Sequence, residues 1–192
     1  ALTVTSAATT TFTGAVDLAN ALTQSAGSVA TTFTGAVNVG SAALTGTAFN
    51  VNNTFASGAT TAFTNSGVLT TTGAITSTGA FSTTGAVNLG ANITTTNTDL
   101  TIGGALVIAE GTAPTLSTGA GAGNILVSGT TNGTAGGVAE SLTLLAGTGN
   151  VTFTGAVGNS TNTTELEALT VTSAATTTFT GAVDLANALT QS

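Results

Sequence analysis

The chain has 192 residues, a formal charge of −7 and no Lys, Arg, His, Cys, Met, Trp or Tyr. With no cation to meet a phosphate backbone, nucleic-acid binding is not expected, and without cysteine there are neither disulfides nor thiolate metal sites. General acid–base chemistry is left with the carboxylates of Asp17, Asp99, Glu110, Glu140, Glu165, Glu167 and Asp184, so we expect no enzyme and no cofactor.

Hydrophobic residues make up 41% of the chain, enough for a packed core and opposite to the balance of disordered chains. The best apolar stretch, within ALVIAE at 105–110, is far below the roughly 20 residues that span a bilayer, so no membrane insertion is expected. The N-terminus has neither a positive residue nor an extended apolar run, as expected of a mature fragment of a larger precursor.

Residues 1–25, ALTVTSAATTTFTGAVDLANALTQS, return letter for letter as 168–192. The chain therefore reads as one repeat, 1–167, plus the opening of the next, 168–192. Repeated units of this kind stack on neighbours to bury their apolar faces.

Thr is abundant throughout, alongside Ser and Gly. This is a composition for extended structure with tight corners, since the branched Cβ of Thr suits a pleated surface. In FTGAVDL at 12–18, Phe12, Gly14, Val16 and Leu18 share one parity and Thr13, Ala15 and Asp17 the other, which predicts a half-buried strand. The pattern returns at 33–39, 82–90, 151–159 and 179–185. Its apolar positions are the candidate core and assembly residues: Phe12, Val16 and Leu18; Phe33 and Val37; Phe153 and Val157; Phe179 and Val183. Small or amide residues follow the copies, and Asn and Gly among them supply the corners.

A strand, a corner and another strand recurring at a spacing of about 20 residues indicate a parallel β-solenoid, whereas a hairpin meander needs Asn-Gly turns between its runs. Asn132-Gly133 is the single such dipeptide. The expected fold is all-β, a parallel β-solenoid (β-helix) of roughly 20-residue coils assembled end to end. About eight coils fit the repeat 1–167, a rise of about 38 Å at the spacing of neighbouring strands. The stretch 111–150, with GTAP, STGAGAGN and SGTTNGTAGG, is the least regular and is the expected protruding loop or lateral contact.

Glu165 and Glu167 flank Leu166, which on a strand would put both carboxylates on one face. With Asp99 they are candidates for calcium, although neither an EF-hand nor a glycine-rich nonapeptide is present. A solvated acidic spot is the simpler account of them. Thr rows such as Thr94, Thr96 and Thr98 resemble ice-binding arrays, but they keep no strict period, and stacked Thr ladders stabilise neighbouring coils in any case.

The FTGAV strands, NLGANIT corners and Thr-rich linkers resemble the β-strand-repeat regions of giant bacterial surface and secreted proteins, of the filamentous-haemagglutinin-like and autotransporter-like stalk type. That resemblance implies a right-handed parallel β-helix, an extracellular or cell-surface location, and a role as stalk, adhesin or filament. The expected function is a structural repeat protein that forms a filament, fibre or sheath. Its expected partner is itself, head to tail or in tandem, with lateral filament neighbours as a further contact. The alternative is an adhesin stalk presenting a carbohydrate- or cell-binding surface.

Overall fold

A computed structural model describes residues 1–134, 139–158 and 164–192. Among them the chain forms 25 strands and no helix, and every strand pairing is parallel. The fold is a parallel β-solenoid of nine coils with three faces. In the first coil, face one carries Leu2–Val4, face two Thr10–Phe12, and face three the start of Val16–Gln24. That long strand bends onto face one of the next coil, as does Val37–Gly46 one coil later. These two bends join faces one and three into one 16-stranded sheet, and face two forms a separate sheet of nine strands.

The inward column of face one marks the coils. It runs Leu2, Leu22, Ala42, Thr61, Phe81 and Leu100, then Ile125, Val151 and Thr177, so that the coils lengthen after Leu100. Between Leu100 and Ile125 the extra residues sit at the corners 109–114 and 118–124. The 111–150 stretch is therefore not one protruding loop. It contains the strands Thr115–Ser117, Ile125–Val127, Thr131–Asn132 and Ser141–Leu145, while its residues 135–138 lie outside the described residues.

Alternation explains why these sequences form these strands. Strand after strand reads buried–half-buried–buried, as in Ile93–Thr95, Leu100–Ile102 and Leu106–Ile108, so the apolar residues of all three faces point into one axial core. Aromatic rings fill its first coils. Phe33 stacks on Phe12 at 5.1 Å between ring centroids, and Phe63 meets Phe49, Phe55 and Phe81 at 5.2, 5.8 and 6.1 Å. Leu, Ile and Val fill the middle coils until Phe153 and Phe179 stack at 5.4 Å.

The FTGAV segment is not one continuous strand. Phe12 ends a strand on face two, Thr13, Gly14 and Ala15 turn the corner, and Val16 begins face three. Two-residue parity survives the corner, so Phe12 and Val16 both pack inward, but they serve different faces. The later copies at 83–87, 153–157 and 179–183 turn a different corner, from face one to face two. Thr-Gly-Ala-Val is thus a corner module usable at two of the three vertices.

The vertex between faces one and two explains its glycines. Gly85, Gly104, Gly129, Gly155 and Gly181 stack coil upon coil, and a Cβ on any of the last four would overlap the backbone of the glycine beneath it. Close backbone approach is the reason for Gly here, not an unusual dihedral. Gly129→Ala should therefore destabilise the chain by about 3 kcal/mol, at the upper end of overpacking penalties. Urea unfolding followed by far-UV circular dichroism checks this, and Gly14→Ala, whose added methyl meets no neighbouring atom, is the mild comparison.

Candidate functional site

The chemistry-bearing side chains are ordered along the axis, coil to coil, and not around a cleft. The longest such arrangement is at the vertex between faces three and one. Asp99 Oδ1 accepts the backbone N–H of Asn124 at 2.8 Å and its side-chain amide at 3.0 Å. Asn124 Oδ1 accepts the backbone N–H of Asn150 at 2.9 Å, and Asn150 Oδ1 accepts the Thr176 hydroxyl at 2.6 Å. Each side chain thus caps a donor of the next coil.

Thr101, Leu126 and Thr152, outward on the adjoining strands of face one, complete a shallow groove with Asp99, Asn124 and Asn150. One carboxylate among neutral amides and hydroxyls is a surface for hydrogen bonding, with no nucleophile–base pair in it. At the same vertex Asn97 adopts φ 57°, and Gly119 and Gly147 of the next two coils adopt 81° and 57°. Asn tolerates this left-handed region better than most non-glycine residues, and its Oδ1 accepts the Gly121 N–H at 2.7 Å.

Shorter ladders recur elsewhere. The Asn38 amide donates to Asp17 at 3.2 Å, the Asn50 amide to the Thr32 hydroxyl at 3.1 Å, and the Thr115 backbone N–H to Asn92 Oδ1 at 2.8 Å. Stacked polar pairs of this kind contribute roughly 0.2–1 kcal/mol each.

The calcium candidates do not form one cluster. Asp99 stands at the vertex between faces three and one, whereas Glu165 and Glu167 stand at the vertex between faces two and three, beside Leu166, which is fully buried. Glu110 and Glu140 occupy the vertex between faces two and three in the two preceding coils, and the Glu167 backbone N–H donates to the Glu140 carbonyl at 2.8 Å. Among the described residues no group of three or more acidic side chains converges to hold an ion.

Glu140 is nonetheless unusual. Its side chain is 3% exposed, and Oε1 has no hydrogen-bond partner among the described residues. Burial pushes its carboxyl above the usual carboxylate range; the Gly111 backbone N–H pulls the other way, and the Glu110 charge adds to the rise. A raised acid favours the folded state while protonated, so this contribution is complete at pH below the ordinary Glu value and fades as pH climbs through the folded one. Glu140→Gln should therefore raise the melting temperature at neutral pH and leave it nearly unchanged in acid below the ordinary Glu value, as paired thermal melts would register.

Of the candidate core and assembly residues, Phe33, Val37, Phe153 and Val157 are buried, and Phe12, Val16, Leu18 and Phe179 pack against the core from partly buried positions. Val183, in the last coil, is 37% exposed. Sequence reading missed the inward polar residues: Gln24 Oε1 accepts the Thr31 hydroxyl at 2.8 Å, and Asn65 makes four interior bonds. It also missed the Asp99–Asn124–Asn150 ladder, although the nearly even spacing of these three residues was present as a signal. Compared with protein-family models, curated proteins and solved structures, the chain matches none.

Proposed function

We propose that this chain is a structural, non-catalytic repeat protein whose coils stack end to end into a filament, fibre or sheath outside the cell or at its surface. One observation carries the reading. The 25-residue sequence at 168–192 stacks on the preceding strands Ser141–Leu145, Asn150–Phe153 and Val157–Gly158, in register except for one shift between Leu144 and Leu145, and the same sequence at 1–25 offers an unpaired edge of identical residues. Leu169 is fully buried where a coil precedes it, while its counterpart Leu2 is 37% exposed.

A parallel edge with unpaired N–H and C=O groups is a template for a further strand. Two of the three strands of the first coil, Leu2–Val4 and Thr10–Phe12, carry no charge, no proline and no bulge, whereas the third carries the exposed Asp17 and a register shift after Leu18. The partner is therefore another copy of the repeat, in tandem or head to tail, with lateral neighbours engaged through the Thr-rich faces. With neither Lys nor Arg, such a material offers no trypsin site.

Electron microscopy of native material tests the reading. Continuous filaments with a layer line at about 4.8 Å along the axis support it. Monodisperse short rods with no axial continuation overturn it in favour of an adhesin stalk.

A further inference from the structure

The two identical 25-residue segments do not occupy the same side of the solenoid. In the first copy, Leu2 is on face one, Phe12 on face two, Val16 on face three and Leu22 on face one again. In the second copy the corresponding residues are Leu169, Phe179, Val183 and Leu189. Leu169 pairs with Leu142 on face three, Phe179 with Phe153 on face one, Val183 with Val157 on face two, and Leu189 with Leu169 on face three. Every position has moved by one face in the same sense.

The count along the chain agrees. From Leu2 on face one of the first coil to Leu169 on face three of the eighth, the chain passes 23 faces, which is seven full turns and two further faces. The expected eight coils per repeat is thus one face too many. The reason lies in the lengthened coils: Leu100, Ile125 and Val151 are farther apart along the chain than Thr61, Phe81 and Leu100, although each set marks successive coils of face one. The repeat 1–167 therefore does not close an integral number of turns.

We propose that successive repeats of this solenoid are related by a screw of seven and two-thirds turns, so that each repeat is turned by one face, a third of a revolution, relative to the one before. The inference rests on the stacking reading for the continuation of the repeats, and it deepens that reading by stating how one copy docks on the next. The rise per repeat is about 37 Å, and three repeats, making 23 coils, restore the starting face after about 110 Å.

The packing of the two copies supports continuation in this phase. Phe12 has a stacked ring above it, Phe33 at 5.1 Å and 2° between planes; its counterpart Phe179 has a stacked ring below it, Phe153 at 5.4 Å and 6°. Combining the two half-environments gives a junction phenylalanine held between rings on both sides, with no break in the aromatic column. Asp17 accepts from Asn38 above, and its counterpart Asp184 is in register with Gly158 below. The Thr-Gly-Ala-Val module permits the shift, because it already turns both vertices that the two copies assign to it.

One consequence concerns lateral partners. Any patch of a repeat, such as the Asp99–Asn124–Asn150 groove, points in three directions in turn along the fibre. Identical neighbours are therefore met on all three sides, and a ribbon that sticks through one face only is not expected.

The phase can be tested in the chain 1–192, which has no cysteine of its own. Leu126 and Thr152 are in register on face one, as are Thr152 and Thr178, at a separation within the span of a disulfide. Leu126→Cys/Thr152→Cys and Thr152→Cys/Thr178→Cys should each lose about tenfold in free thiol on mild oxidation, with the link inside one chain. A repeat of eight whole turns would instead return the strand Ala168–Ser173 to face one and set Thr170 above Thr152. Ready closure of Thr152→Cys/Thr170→Cys, with failure of the Thr152→Cys/Thr178→Cys pair, overturns the proposal. Circular dichroism of the reduced variants checks folding, and Asn150→Cys/Thr176→Cys, in register on the same two strands, replaces the diagnostic pair if that variant misfolds. Because these links form within one molecule, they report the phase whether or not filaments assemble. In tandem-repeat material, helical indexing should return a third of a revolution per repeat; a repeat that superposes on the next by translation alone would contradict the screw.

Discussion

Replacing Phe63 by Ala should cost the fold about 4 kcal/mol, the largest loss expected from any single truncation considered for this chain. Phe63 is 1% exposed, and its ring lies against Phe49, Phe55 and Phe81, drawn from faces two, three and one. Phe→Ala in a core typically costs about 3–5 kcal/mol, the transfer term plus the cavity, and here the cavity opens among three other rings, two in the preceding coil and one in the next, that lose their contacts with it. For a chain of this length that corresponds to a fall in melting temperature of about 10 °C.

The effect should also be local, because each coil of a solenoid contacts only its neighbours. Hydrogen exchange should accelerate in Phe55–Ser57, Thr61–Asn65 and Phe81–Thr83 and remain slow in Ile125–Val127. Uniform acceleration along the whole axis would show that the coils unfold as one unit and contradict this picture. Thr152→Ala, which truncates an outward side chain, is the matched control and should stay within about 0.5 kcal/mol of the parent.

Asn65→Ala is expected to cost about 3 kcal/mol although it removes no apolar surface of note. Asn65 is 3% exposed and points into the solenoid at the vertex between faces one and two. Its Nδ2 donates to the Gly67 carbonyl at 2.8 Å and to the Ala86 carbonyl at 3.3 Å. Its Oδ1 accepts the Thr83 hydroxyl at 2.7 Å and the Gly85 N–H at 3.0 Å. One side chain thereby satisfies backbone groups of its own coil and of the next, and truncation strands them where water does not reach. Each stranded buried group costs about 1–3 kcal/mol.

Asn65→Asp separates the two halves of this role. The carboxylate keeps both acceptor functions but loses both donors, and burial raises its pKa. A raised acid stabilises the folded state only while protonated, so the Asp variant should be more stable in mild acid than at neutral pH, whereas the Ala variant should show no such difference. Chemical denaturation at both pH values distinguishes them. Equal losses for Asp and Ala at both pH values would mean that the four bonds contribute little.

How much of this architecture could be read from the residues varies with the range of the interaction. Alternation of apolar and hydroxyl residues is a local signal, and it led to parallel coils because Thr-rich runs lacked hairpin turns. The inward direction of Phe33, Val37, Phe153 and Val157 follows from the same alternation. The break of FTGAV into strand, corner and strand was not legible, since a corner that preserves two-residue parity leaves no mark on the hydropathy pattern. Asn65 and Gln24 were invisible for a different reason: an inward amide is acceptable only when specific partners satisfy it, and several of those partners belong to the adjoining coil, a full turn away in sequence.

The column from Gly85 to Gly181 is a further case. Gly85, Gly155 and Gly181 read as strand positions of the recurring pattern, and only the stacking of coils shows that they turn a corner at which a methyl group would strike the backbone of the coil beneath.

By itself the sequence determined the class of the molecule: β structure built from parallel coils, a long exact repeat, no cation, no thiol and few groups able to do chemistry, all of which follow from composition and short-range alternation. The tertiary structure alone decided how the repeat is wound. Whether the repeat makes a whole number of turns depends on where each corner adds or omits residues, a sum over 23 separate faces that no local pattern records. The same stacking decided which face each identical 25-residue segment occupies and which polar side chains are joined from coil to coil, because those contacts exist only once the coils lie one upon another.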